Sequence, residues 1–213
     1  YLASGNDGMT IHMHGNGQDQ IGQIHNAGTT VIHGDVGQCY GYGAKGGKLF
    51  IRGNAAGRPM INSVGSPKLV INGTALDYLA ESFMAGDPLN GGGFVIINGI
   101  EYDDKGELHA METPYPGGNL FSLSSGGAIY VRDPYGRVSS SQLNGGDFTE
   151  LTPADWDILE PLLVENETHF GIPLAALLTV EGEVRAPEAV YRKIIPIKSK
   201  ALSVEADWGG SHD

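Results

Sequence analysis

Three histidines are the first residues whose spacing suggests chemistry. His12 and His14 stand two apart in IHMHG (11–15), so an extended backbone puts both imidazoles on one face. His33 in VIHG (31–34) takes the place of His14 one repeat later. Imidazoles grouped in this way suit a cation of the zinc or copper class. The same column continues as Arg52, Asn72, Asn98 and Arg132, which cannot all be ligands, so the histidines read first as part of a polar outer face. No metal site is assigned; His12, His14 and His33 remain the one candidate set. Asp103, Asp104, Glu107 and Glu112 crowd the segment EYDDKGELHAMETPYPGG, which suits a hard cation or an acid and base acting on polysaccharide, but reads more simply as a solvated loop. Cys39 is the single cysteine, with no histidine reliably beside it, and reads as a small buried side chain. Its solitude excludes an internal disulfide framework and any iron-sulfur cluster held by several cysteines of this chain. The serine runs SLSSGG (122–127) and RVSSSQ (137–142) lack the strand-to-helix elbow of a serine hydrolase. No catalytic or cofactor-binding residue is therefore assigned.

The elements around these residues recur. A short apolar run ending in glycine appears as IHMHG, VIHG, LFIRG, LVING and VIING, and a sixth copy, IYVRD, ends in aspartate. The terminal residues Gly15, Gly34, Gly53, Gly73, Gly99 and Asp133 are spaced by 19, 19, 20, 26 and 34 residues. Two residues before each stands Met13, Ile32, Ile51, Ile71, Ile97 or Val131, and four before stands Ile11, Thr30, Leu49, Leu69, Val95 or Ile129. One strand parity thus forms a nearly continuous apolar ladder, and the position one before the terminus forms the polar column. Pairs of small residues precede the ladder strands, among them Gly46 with Gly47 and Gly126 with Gly127. The pattern predicts an all-β parallel β-helix with coils of 19 residues or slightly more, in which the glycines allow tight corners and close approach of neighbouring coils. The expected organisation is a Gly-rich unit over 1–150 followed by a helical cap and basic segment over 151–213. Thr152, Pro153 and Asp155 signal the helix start, Pro161 a kink, and Gly171 with Pro173 the end. The cap is expected to cover the open end of the stack. Residues 189–202 read as a tether or docking segment and 206–213 as a loose end.

Charge narrows the partners. A net charge of −12, with 13 Lys and Arg residues in no stripe, argues against nucleic acid and anionic membranes. No apolar run approaches the roughly 20 residues of a membrane span, and Tyr1 to Asp7 lacks signal-peptide character, so a cytoplasmic location is expected.

The most specific run is GDVGQCYGYGAKGGKLFIRG (34–53), with Gly37, Gly41, Gly43, Gly46 and Gly47 around a corner, and Gly34, Gly53 and Gly73 closing successive ladder strands. It resembles the GXGXG domain, the right-handed β-helix found at the C-terminus of the glutamate synthase large subunit and in one of the subunits of formylmethanofuran dehydrogenase. The resemblance continues through 85–99, 119–133 and 191–202, and departs from the family at insertions 76–92 and 100–118. It implies a right-handed fold and a noncatalytic scaffold subunit. Flavin mononucleotide and an iron-sulfur cluster would then belong to glutaminase-like and flavin-binding partner chains of a glutamate-synthase-like oxidoreductase serving glutamate biosynthesis. One alternative is the corresponding scaffold of a formylmethanofuran or related molybdenum or tungsten dehydrogenase; another is a free-standing β-helix that binds polysaccharide.

Overall fold

The computed structural model describes residues 1–197. The apolar runs form strands β1 (Asp7–His14), β2 (Ala27–His33), β3 (Lys48–Ile51), β4 (Lys68–Ile71) and β5 (Phe94–Ile97). The insertion that follows β5 folds into an antiparallel hairpin of β6 (Ile100–Tyr102) and β7 (Leu108–Ala110). Next come β8 (Ala128–Arg132), β9 (Gly146–Thr149), helices α1 (Pro153–Phe170) and α2 (Leu174–Leu178), the small pair β10 (Thr179–Val180) and β11 (Glu183–Val184), α3 (Pro187–Val190) and β12 (Tyr191–Pro196). One sheet takes eight strands in the order β1-β2-β3-β4-β5-β8-β12-β9. From β1 to β8 it is parallel, and β12 runs antiparallel between β8 and β9.

Register follows the apolar columns. Ile32, Ile51, Ile71, Ile97 and Val131 stand opposite one another and point into one core, which also takes Tyr40, Met60, Leu79 and Phe121 from the connections. The other parity is just as apolar: Val31, Phe50, Val70, Ile96 and Tyr130 are fully buried in a second core beneath Leu159, Leu162 and Leu163 of α1. Burying each such side chain is worth about 1.5–3 kcal/mol, so covering the second face is a large part of what fixes α1.

This arrangement corrects the expectation of an all-β, right-handed parallel β-helix. The fold is mixed α/β: a mostly parallel sheet covered on one face by α1, with further short helices. Outside the strands, parallel pairing is limited to single bridges such as Val36 to Ala55 to Ala75 and Val64 to Met84, so the strands do not close into a solenoid. The polar column is corrected with it. Asn72 and Asn98 are fully buried and Arg132 nearly so, because α1 and α2 lie over them; Arg132 donates to the carbonyls of Leu177 and Thr179. The continuous apolar runs of β4 and β5 carry the signature of a strand covered on both faces, which a two-sided alternation conceals.

The helix starts as the sequence signals it. Thr152 and Asp155 exchange a capping box, Pro153 occupies the first turn, and Gly171 ends the helix at φ 69°. Pro161 lies within one continuous helix rather than dividing it, and α1 covers a face of the sheet rather than an end of the stack. The end is closed instead by β12, which pairs with β8 and β9, so residues 191–196 are a sheet strand and not a tether. Of the remaining proposed docking segment, residues 189 and 190 end α3, while 198–202, like 206–213, lie outside the described residues.

Away from the sheet, the corners repeat a feature without an apolar signature. Cys39, Arg58 and Tyr78 share a left-handed φ at one position, Gly41, Met60 and Ala80 at the next but one, and Gly43, Asn62 and Ser82 two further on. Their amides alternate direction: Gly41 N–H donates to Ile21 in the preceding repeat at 2.8 Å, and Gly43 N–H to Ile61 in the following one at 2.8 Å. Each non-glycine member costs about 1–2 kcal/mol in backbone conformation, which the stitching hydrogen bonds and the buried Met60 and Ala80 side chains offset.

Candidate functional site

The glycines of the 34–53 run serve the stacking. A Cβ on Gly46 would overlap the Asn26 carbonyl, one on Gly34 the Gly15 carbonyl, and one on Gly37 the Asp19 side chain. Gly47, at φ 78°, faces the His25 ring at 2.5 Å and the Gly28 carbonyl at 2.7 Å from a Cβ position. At Gly41 a Cβ would meet the Met60 sulfur at 2.5 Å, whereas at Gly43 it would make only ordinary contact with Ile24, at 4.0 Å. A Cβ on Gly53 or Gly73 would overlap the Asp35 or Asn54 side chain. Those two side chains belong to a ladder that the sequence reading passed over. Asn16 accepts from Asp35 N–H at 2.9 Å, Asp35 from Asn54 N–H at 2.7 Å, and Asn54 from Thr74 N–H at 2.9 Å. Its signal is an Asn or Asp just after the terminal glycine in three successive repeats.

The three candidate histidines do come together. His14 stands opposite His33 in the β1–β2 register, and their rings stack at 4.2 Å. His12 Nδ1 and His33 Nε2 face each other at 3.1 Å, one nitrogen donating and the other accepting. A fourth histidine joins them from the last turn of α1. The ring of His169 lies edge-on to His12 at 5.5 Å and to Phe50 at 4.7 Å. His169 Nε2 is shielded from solvent and has no hydrogen-bond partner; the nearest carboxylate oxygen, on Glu165, is 3.6 Å away. Glu165 accepts from Lys48 Nζ at 2.6 Å, which ties this corner of α1 to β3. Desolvation, then the nearby His14, His12, His169 and Arg52, holds the His33 pKa below the usual imidazole value. His169 is also lowered, because burial outweighs the Glu165 carboxylate. His33 further lines an open cleft of about 390 Å3 with Asp35, Arg52, Asn54 and Glu101, and the Arg52 guanidinium stacks over Tyr102 at 4.4 Å.

The acidic insertion resolves into a turn. Asp103 accepts from the amides of Lys105 and Glu107 at 2.9 and 2.8 Å, and its other oxygen lies 3.0 Å from His109 Nε2. These bonds, led by the one from Glu107, hold the Asp103 pKa below the usual carboxylate range. Asp103, Glu107 and His109 are close enough to share a cation, but each observed contact is already that of a closed hairpin. Asp104 and Glu112 stand outside that group. Cys39 is half-buried, and desolvation foremost raises its thiol pKa, which disfavours the nucleophilic thiolate. In the serine runs, Ser124 donates to the Ala80 carbonyl at 2.7 Å and Ser139 caps a short turn.

Two buried polar networks bind α1 to the sheet. Asn72 and Asn166 exchange paired amide hydrogen bonds at 2.8 and 2.9 Å, Asn98 donates to Asn72 at 2.9 Å, and Tyr191 donates to Asn98 at 2.8 Å. Asp155 accepts from Tyr130 and Lys193, each at 2.6 Å. Burial opposes the Asp155 charge, but the bonds from Lys193, Tyr130 and Thr152 outweigh it and keep the carboxyl pKa low.

No protein-family model matches the chain, and no curated protein matches it at significant similarity. No helix among the described residues is long and apolar enough to cross a membrane.

Proposed function

We propose that the chain is a noncatalytic scaffold subunit of a cytoplasmic, glutamate-synthase-like oxidoreductase, working beside a glutaminase-like chain and a chain that carries flavin mononucleotide and an iron-sulfur cluster. The observation that carries the reading is where the 34–53 glycines sit. In the run that bears the resemblance to the GXGXG domain, Gly34, Gly37, Gly46, Gly47 and Gly53 each have a neighbouring repeat where a Cβ would go. Glycines committed to stacking serve a stiff support rather than a phosphate-binding loop. The two polar networks under α1 strengthen that stiffness, because a satisfied buried network fixes one packing arrangement.

The test is native, anaerobic purification of the chain from its own host, with mass spectrometry of co-purifying chains and absorbance of their cofactors. Glutaminase-like and flavin-bearing chains in fixed ratio are expected. Molybdopterin-bearing partners in their place, or a chain recovered alone and cofactor-free, would overturn the assignment.

A further inference from the structure

We propose that His12 and His33 form a binding site for one borderline divalent transition-metal cation of the zinc, nickel, cobalt or copper class. The inference is independent of the scaffold assignment. It starts from the facing nitrogens, His12 Nδ1 and His33 Nε2, which are 3.1 Å apart. With metal–nitrogen bonds of ~2.1 Å, that separation closes an angle of about 95° at the ion, and widening it by about 0.3 Å gives the tetrahedral angle. The two nitrogens therefore already sit near the spacing of neighbouring ligands on one ion. Each neutral imidazole has one N–H and one lone pair. Coordination by both requires the proton between the rings to leave the facing nitrogen and be carried on the other nitrogen of the same ring, so no net proton is released.

The surroundings suit the same ion. β1 and β2 are hydrogen-bonded in register and hold the two ring-bearing backbones fixed relative to each other. His14, stacked on His33, and His169 lie beside the pair, but neither brings a nitrogen near enough to both facing nitrogens to make a third ligand, so the protein supplies two. His33 borders the open polar cleft, which leaves room for water in the remaining coordination positions. A nitrogen-only donor pair selects against Mg2+ and Ca2+, which prefer oxygen.

The test titrates the full chain with Zn2+ by calorimetry, and with Co2+ to read the ligand-field spectrum. One equivalent is expected to bind, with H12Q and H33Q each weakening it by ~10-fold or more. Zn2+ should also shift the ring nitrogens of His12 and His33 in NMR spectra. His12 is exposed, so H12Q reports on the ligand without endangering the fold. D103N in the hairpin and H212Q in the C-terminal segment should leave the affinity unchanged. Absence of binding, binding indifferent to H12Q and H33Q, or binding lost in D103N or H212Q would overturn the assignment.

Discussion

The paired amides of Asn72 and Asn166 join residues 94 apart in the chain, and both side chains are fully buried. Asn72 Nδ2 donates to the Ile51 carbonyl and to Asn166, while its Oδ1 accepts from Asn98 and Asn166. Substituting Asn166→Ala leaves one donor and one acceptor site of Asn72 unmatched. At roughly 1–3 kcal/mol for each buried group left unsatisfied, the expected loss is about 2–4 kcal/mol. Asn72→Ala strands both groups of Asn166 and the Asn98 amide, for a loss of about 3–5 kcal/mol on the same scale. The double variant removes both ends of the pair and should fall short of the sum of the single losses by at least ~1 kcal/mol. Urea unfolding followed by circular dichroism gives all three values. Additivity within ~0.5 kcal/mol would refute the claim that this amide pair holds α1 to the sheet.

Three further outcomes follow from the same contacts. Gly47→Ala should cost about 2–4 kcal/mol, since its Cβ meets the His25 ring and the Gly28 carbonyl at positive φ, whereas Gly136→Ala, at positive φ but in open space, should cost only ~1 kcal/mol; thermal and urea unfolding compare the two. Buried His25 donates to the Gly46 carbonyl through Nδ1 and accepts at Nε2 from Asn6 and Thr30, and desolvation lowers its pKa below 6.5. The unfolded chain then takes up the proton first, so stability is full above about pH 6.5 and declines as pH falls toward the folded value; His25→Gln should flatten that slope in unfolding curves between pH 7.5 and 5. Lys193→Met leaves the buried Asp155 carboxylate without its cation and should destabilise by about 3 kcal/mol at pH 7, with part of the loss recovered once acid protonates Asp155.

The β1-to-β8 ladder was legible because it depends only on neighbours. Residues Ile32, Ile51, Ile71 and Ile97 repeat at nearly fixed spacing, and parallel in-register pairing is the packing that keeps them together. The helix caps were legible for the same reason, as Thr152, Pro153, Asp155 and Gly171 act within one or two turns. What sequence reading missed depends on contacts across the whole chain. The second apolar column, Val31, Phe50 and Val70, was passed over, and nothing local says that Leu159 and Leu163 come to lie on it. Asn72 and Asn98 look like surface residues until Asn166 partners the first and Tyr191 the second. The histidine cluster was partly visible: His14 and His33 share a repeat column and His12 shares a strand face with His14, while His169 enters only because α1 ends beside β1. The left-handed corners escaped notice because Arg58, Met60 and Asn62 adopt a conformation that their residue types do not announce.

The two ends of the main sheet differ in kind. At one end β1 lies parallel to β2, the strand that follows it in the chain. At the other end β9 has β12 as its one neighbour in the sheet, and α1, α2 and α3 lie between the two in sequence. During synthesis, therefore, β1 can find its partner early, whereas β9 waits for residues 191–196, and the margin beside it is completed only after the covering helices have been made.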